Sequence, residues 1–454
     1  MDHQPMISPG MLSQVGDPDV TARILNAGLM AADPYKAVQR NVHVNRDCLV
    51  VGDCVFDLHQ YDRIILTGVG KAVFTMAEGI LDLLGERITT GFLIGKHLQP
   101  GRWKWGNIQR VIGSHPVPDE RSVRAGKGMQ QFLCGLTSRD LVISLISGGG
   151  SALMMALAPG IQLEDIQSLT RQMLTAGANI IELNTIRKQF DLIKDGGMIR
   201  ASLPATMIAL IMSDVVGDRR DMIASGPTVL GAKHPEEAVE ILHQYGIWAH
   251  MPENMKEYLN LKMHEYSLSE DIHISQHMPY NFIVASNRQS VHVAANQAEL
   301  EGFHVEILTT EMQGEARDVG ETLATRFLHA VRDSNLKNRP LLWVAGGETT
   351  VTVSGSGTGG RNQELALAGV QVLTGMDNIS LISLATDGED GPTNAAGAVV
   401  TGNTYQVGAQ KGLFPDHFLS DNNSHEYFNQ VNSLLITGPT GTNVNDLCFL
   451  FAYA

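Results

Sequence analysis

The chain has 454 residues, 43% of them hydrophobic and 18% charged, which suits a folded protein and excludes a disordered one. A single core stops growing near ~250–300 residues, so this length predicts two domains. Its 33 basic and 48 acidic residues leave a net charge of −15, which excludes attraction of nucleic acid or anionic membrane by bulk charge and leaves any anionic ligand to a local site.

Residues 1–19 are polar and rich in Pro and Gly, and read as a loose leader without the basic and apolar regions of a signal peptide. Residues 20–37 space their apolar side chains as a helix. An α/β rhythm follows. The run 63–66 reads as a strand ending in Thr67-Gly68-Val69-Gly70, and 71–84 as an amphipathic helix. Strands are predicted at 91–94 and 109–112, a helix at 119–133, and a buried strand at 141–146 closed by Ser147-Gly148-Gly149-Gly150. A helix at 163–178 and a buried strand at 205–212, ending in Ser213-Asp214, complete this half. Residues 235–278 are helical, polar and His-rich, and read as an inter-domain region. A second series has strands at 281–285, 305–308, 341–345, 351–353, 380–385 and 434–437, with helices at 289–300, 315–331 and 362–373. Strands alternating with helices predict parallel layers, hence an α/β protein with domains at 20–265 and 280–454. The longest apolar runs fall far short of a ~20-residue membrane span. Cys48, Cys54, Cys134 and Cys448 are scattered and form no Cys-x-x-Cys pair, which fits a reducing compartment and a cytoplasmic protein.

Glycine stands out at 46 residues, about 10% against a usual ~7%. Fifteen of these lie in five segments that each follow a predicted strand, and in parallel sheets ligands sit at the carboxyl ends of strands. Gly68-Val69-Gly70-Lys71 joins strand to helix, where free amides and a positive dipole end suit phosphate or carboxylate, with Lys71 adding a full charge. It is not a Walker A loop, because Ile65 and Ala72 occupy two of its required positions. Ser147-Gly148-Gly149-Gly150-Ser151 offers a row of amides and two hydroxyls, an anion nest in type. Asp214 ends a buried strand, where a carboxylate serves as Mg²⁺ ligand, base or helix cap. Gly355, Gly357 and Gly360 formally match G-x-G-x-x-G, but the preceding strand is short and the next acidic strand end, Asp387, is too distant for a dinucleotide fingerprint. Arg361 at that loop's end can grip a phosphate or carboxylate through two bonds. Glu348, Asp387 and Asp390 follow apolar strands and share a rim if those strands are parallel neighbours, an arrangement that suits Mg²⁺ bridging nucleotide phosphates. A closing loop, Thr437 to Asn443, adds three hydroxyls. The histidines show no metal-ligand spacing, and no Gly-x-Ser-x-Gly elbow is present.

Together these segments resemble the glycerate 2-kinase family, whose members carry a C-terminal MOFRL domain and are in some cases described as hydroxypyruvate reductases. The similar stretches run in the family's order across about 60–450. They include Gly68 to Ala72, Ser147 to Leu153, Glu182 to Lys188, Ser213 to Asp218, Ile223 to Thr228, Gly347 to Val351, Gly359 to Glu364, Ala385 to Gly388 and Thr437 to Asn443. One departure is Lys194-Asp195-Gly196-Gly197, where members usually read Lys-Gly-Gly. The resemblance implies a Rossmann-like N-terminal domain, a C-terminal MOFRL domain and an active site in the cleft between them. It implies ATP-dependent phosphorylation of D-glycerate to 2-phosphoglycerate, with ATP and Mg²⁺ as cofactors. The family's functional lysine falls on Lys71 and its arginine on Arg361, both assigned to the phosphoryl group and the substrate carboxylate. Asp214 is the candidate base. Gly68, Gly70, Ser147, Gly148, Gly149, Gly150, Ser151, Gly359, Gly360 and Asn362 are assigned to cofactor or substrate anions, and Glu348 and Asp387 to Mg²⁺. The alternatives are an NAD(P)H-dependent hydroxypyruvate reductase and a non-catalytic sugar-acid or nucleotide-binding protein. The expected partner is D-glycerate, with no nucleic acid or membrane, and a homodimer is one open assembly.

Overall fold

The computed structural model describes residues 7–98, 105–231, 234–268, 279–333 and 340–453. Two compact units emerge. One contains residues 38–212 and 219–284, the other 1–37, 213–218 and 285–454.

The first unit opens with a small antiparallel sheet of β1 (Val42–Asn45), β2 (Cys48–Val51) and β3 (Cys54–Asp57). Its main sheet comprises β4 (Arg63–Val69), β5 (Ile88–Gly95), β6 (Ile108–Ile112), β7 (Asp140–Ile146), β8 (Thr206–Met212) and β9 (Tyr280–Ala285), in the order β6-β5-β4-β7-β8-β9. The pairings of β6 with β5, β5 with β4, β4 with β7 and β7 with β8 are all parallel. The strands β4, β7 and β8 are almost wholly buried, as continuous apolar runs covered on both faces must be. Parallel register aligns Val69 with Ile146, so the loops after β4 and β7 leave side by side from one edge. The strand at 281–285, expected to begin the second series, instead joins this first sheet. The helices Pro235–Gln244 and Glu253–Leu268 are not a connector. Their Ala238, Leu242, Met255 and Leu259 pack into one core with Leu163, Ile166, Leu169 and Phe190. The remainder of that expected region, 269–278, lies outside the described residues.

The second unit is built on β10 (His304–Met312), β11 (Leu341–Gly347), β12 (Ile379–Ala385), β13 (Gly397–Thr401), β14 (Leu434–Leu435) and β15 (Asp446–Ala452). The order is β10-β11-β15-β12-β13-β14. The α/β expectation holds, but this sheet is mixed rather than largely parallel: β10 and β11 are parallel, and the other pairings are antiparallel. The cause is β15, a run the sequence reading passed over. It inserts antiparallel between β11 and β12 and sets those two strands pointing the same way. The segment 351–353 is not a strand.

The expected leader is also structural from Ile7 onward. Ile7, Leu12 and Val15 are buried with Leu25 and Leu29 of the helix Pro18–Ala31 against Val291, Ala294, Leu447 and Phe451. Asn26 clamps the turn, its side chain accepting from the Ile7 amide and donating to the Ile7 carbonyl. Among the described residues no helix is long and apolar enough to cross a membrane.

Candidate active site

In the first unit, the loops after β4 and β7 are stitched into one rim. The Lys71 amide donates to the Gly148 carbonyl at 2.9 Å, and the Ala72 amide to Ser147 Oγ at 3.1 Å. Gly70 approaches so closely that a β-carbon there would strike the Ser147 backbone, which only glycine tolerates. Gly149 takes a left-handed conformation (φ +80°) and opens the short helix Gly150–Leu153. The Lys71 side chain is exposed, while Gly148 and Gly150 are buried. The stem of a lysine thus lies beside a glycine turn at the carboxyl edge of a parallel sheet. Gly68, inside β4, packs against Leu145.

The nest continues through Ser151, whose hydroxyl accepts from Ser225 at 2.8 Å. The turn from Ser225 to Pro227 in turn accepts the amides of Asp195, Gly196 and Met198. The Lys194-Asp195 departure therefore packs against the turn that continues the nest. Lys194 is fully buried and pairs with Asp191 at 3.0 Å, and burial lowers its pKa against the pull of that carboxylate. Asp191 also accepts the Ala156 amide, which ties the pair to the segment behind the nest.

One side chain in this rim was not anticipated. His115 follows β6, and its ring lies against Gly149. A β-carbon built on Gly149 would sit 3.0 Å from His115 Cδ2, 3.3 Å from His115 Nε2 and 3.2 Å from Lys71 Cγ. Burial first, and then Lys71 and Lys96, push the imidazole down to about 4, so it is neutral near pH 7. No spacing signalled it, because its partners come from three different strands.

In the second unit, β11, β15 and β12 bring a second set of groups to one edge. Asp446 opens β15 and stands opposite Gly347 on one side and Ala385 on the other. Arg361, the first residue of the helix Arg361–Val372, donates through Nε to Asp446 at 2.5 Å, through Nη2 to Asp446 at 3.1 Å, and through Nη1 to Glu348 at 2.7 Å. Burial by itself would lower the Arg361 pKa, but Asp446 and Glu348 raise it, so the guanidinium stays charged. Burial pushes Asp446 up to about 7 against the opposing pull of Arg361. Asp446 was missed in the sequence. The available signal was Asn445-Asp446 ahead of the apolar run Leu447 to Phe451.

The amides of residues 354–358, ahead of Arg361, are taken up by the protein's own groups. Asn422 Oδ1 accepts the Ser354 and Gly355 amides, Asp421 Oδ1 the Ser356 amide, and Asn423 Oδ1 the Thr358 amide. Buried Asp390 accepts the amides of Asn362 and Gln363 and both of their side-chain amides. The second and third amides of the helix are thus satisfied by the protein's own carboxylate. Asn362, assigned from sequence to the cofactor, also accepts from Ser383 at 2.6 Å. Gly359 and Gly360 pack against Ser424 and Asp390. With no strand before it and the amides of 354–358 engaged, the formal G-x-G-x-x-G match lacks the context of a dinucleotide site.

Asp387 is half-buried after β12, with Oδ1 accepting the Glu389 amide, and its carbonyl accepts the Thr440 amide. Among the described residues no group of three His, Cys, Asp or Glu side chains is arranged to hold a metal. Glu348 and Asp387 offer the oxygen donors that Mg²⁺ prefers, and that ion commonly takes one or two carboxylates and completes its shell with phosphate and water. Asp214 follows β8, half-buried, within the segment 213–218 that groups with the second unit.

Residues 20–260 match a family described as a domain of unknown function (DUF4147), and residues 341–446 match the MOFRL family. A Pyrococcus horikoshii protein named glycerate 2-kinase is 37% identical over 436 residues, covering 94% of this chain and 96% of its own. A Thermotoga maritima D-glycerate 2-kinase is 37% identical over 390 residues, covering 85% and 90%. A human glycerate kinase is 35% identical over 458 residues, covering 89% and 86%. The crystal structure of the Thermotoga maritima glycerate kinase superimposes with a TM-score of 0.84 at 34% identity, covering 96% of this chain and 99% of that one. A crystal structure of a Pyrococcus horikoshii protein gives 0.83 at 36% identity, covering 96% and 98%.

Proposed function

This chain belongs to the glycerate 2-kinase family, and we propose that it transfers the γ-phosphoryl group of ATP to the 2-hydroxyl of D-glycerate, giving ADP and 2-phosphoglycerate. The observation that carries this reading is identity of 37% across nearly the whole length of relatives named for that activity. The site chemistry supports it. A loose phosphoryl transition state asks for positioned donors and cations rather than covalent help. Lys71 above the Gly148 to Gly150 turn supplies a charge and a glycine surface that a phosphate or carboxylate can approach closely.

Arg361 is the second anion-binding group of the proposal. Asp446 holds its fork in place, and Glu348 is the more exposed partner, with a side chain 41% accessible against 1% for Asp446. Glu348 is therefore the contact that an arriving anion displaces. Glu348 and Asp387 would hold Mg²⁺, which supplies charge neutralisation for the triphosphate. Asp214 remains the sequence-based candidate for orienting the hydroxyl.

The test is phosphorus NMR of purified protein with D-glycerate, ATP and Mg²⁺. Appearance of 2-phosphoglycerate with matching loss of ATP is the expected result. Tight binding without product would leave a sugar-acid or nucleotide binder instead. Oxidation of NAD(P)H by hydroxypyruvate would revive the reductase.

A further inference from the structure

We propose that His115 is a catalytic residue of this site, accepting the proton of the acceptor hydroxyl as that oxygen attacks phosphorus. The inference rests on the kinase reading above and adds a group that the sequence motifs did not contain.

The geometry is specific. The Cδ2–Nε2 edge of the ring faces Gly149, in the middle of the nest, beside the stem of Lys71. The loop that carries it is anchored on both sides. Gly113 lies so close to the Leu153 carbonyl, at the end of the helix that starts in the nest, that any β-carbon would collide with it. The Gly113 amide donates to Gly95, and the Ser114 amide donates to Ser122 Oγ at 3.0 Å. The backbone is thus held at the rim while the ring is left uncommitted. Among the described residues the His115 nitrogens have no hydrogen-bond partner. A half-buried imidazole held against a glycine nest, with no hydrogen-bond partner among the described residues, is placed to meet a ligand rather than to support the fold.

The electrostatics fit that role. The charges acting on His115 are Lys71, after β4, and Lys96, after β5, and with burial they keep the ring neutral and its lone pair available. When a polyanion binds beside Lys71, its charge offsets those lysines and the basicity of His115 rises. The base is therefore strengthened by the substrate it serves. In the step itself, the hydroxyl oxygen forms its bond to the γ-phosphorus. The bond from that phosphorus to the β,γ-bridging oxygen breaks, and its electron pair leaves with ADP. The hydroxyl proton passes to His115 Nε2 and then to water.

The experiment uses full-length protein with ¹³C-labelled histidine. The His115 resonance is identified by its loss in His115→Asn, and its titration is followed with and without Mg²⁺, ADP and D-glycerate together. The expected result is a ligand-induced shift and a titration midpoint that moves up from about 4. In turnover, His115→Asn should lower kcat by about 100-fold or more with KM within about threefold, and should remove the acid limb of the kcat–pH profile. His115→Gln, with a similar thermal midpoint to wild type, should behave alike. Wild-type kcat and pH profile in a folded His115 variant would overturn the proposal. So would a His115 resonance and midpoint indifferent to ligands, a reading that needs no turnover. Failure of wild type to phosphorylate glycerate would instead sink the kinase reading, with the resonance still deciding whether His115 faces a ligand.

Discussion

Arg361 carries one positive charge between two carboxylates, so its value to the site is orientation as much as charge. Removing it leaves Asp446 buried and unpaired at the start of β15. Arg361→Ala should therefore cost about 3–5 kcal/mol in stability as well as rate. The double variant Arg361→Ala/Asp446→Asn should recover much of the stability, read from urea unfolding, without recovering turnover. Arg361→Lys should rescue neither, because an ammonium cannot make the fork of two bonds to Asp446. Lys71→Ala removes no side-chain ion pair or hydrogen bond among the described residues and should lower the rate by about 100-fold or more while leaving the thermal midpoint nearly unchanged. His115 adds a stability test. Its pKa is lower in the folded protein than in the unfolded chain, so between about 6.5 and about 4 the unfolded state binds more protons. Stability from this group is present above the unfolded value and is lost as pH falls through that window. Urea midpoints at pH 7 and pH 5 should therefore differ less in His115→Asn than in wild type. Lys71 and Arg361 stood out in the sequence because each ends a glycine loop. Asp446 and His115 did not, because neither has a sequence neighbour that betrays its partner.

At the scale of the element, the helix Arg361–Val372 shows how an apparent ligand loop becomes a structural clamp. Its second and third amides, those of Asn362 and Gln363, point at Asp390, and burial raises that carboxyl's pKa while these donors pull it down. The loop leading in is fixed by Asp421, Asn422 and Asn423, three residues that end one helix and begin another. These bonds hold Arg361 at a defined angle to β15. Asp390→Ala should leave two buried backbone donors unsatisfied and cost roughly 2–4 kcal/mol, measured by chemical denaturation. It should also reduce kcat, because the helix start that aims Arg361 is no longer pinned. The glycines predicted that the chain turns tightly here, and it does. They could not reveal what receives the amides, because Asp390 and the 421–423 segment lie about 30 and 65 residues further along. The Gly68 to Lys71 and Ser147 to Ser151 loops were more legible, since adjacent parallel strands bring their ends together by register alone.

On the scale of the whole molecule, the second unit needs the beginning of the chain. The helix Pro18–Ala31 covers Val291, Ala294 and the β15 face, and Ile7 and Leu12 seal it. A fragment of residues 285–454 should therefore unfold without a cooperative transition. Addition of residues 1–37 in trans should restore one, measured by circular dichroism on heating, because it returns a buried apolar face worth tens of kcal/mol in gross terms. The sequence alone determined the α/β class, the strand-end position of the glycine loops and the family, because these follow from local periodicity and from motifs read in order. The net charge of −15 already required any anion to be met locally, and the Lys71 rim is the place proposed for it. The tertiary structure decided the rest. It placed β9 in the first sheet and β15 in the centre of the second. It paired Arg361 with Asp446, set His115 against Gly149 and turned the 354–360 loop inward. Each of these depends on contacts between residues tens to hundreds of positions apart, whose geometry is set by sheet order and packing rather than by any local pattern.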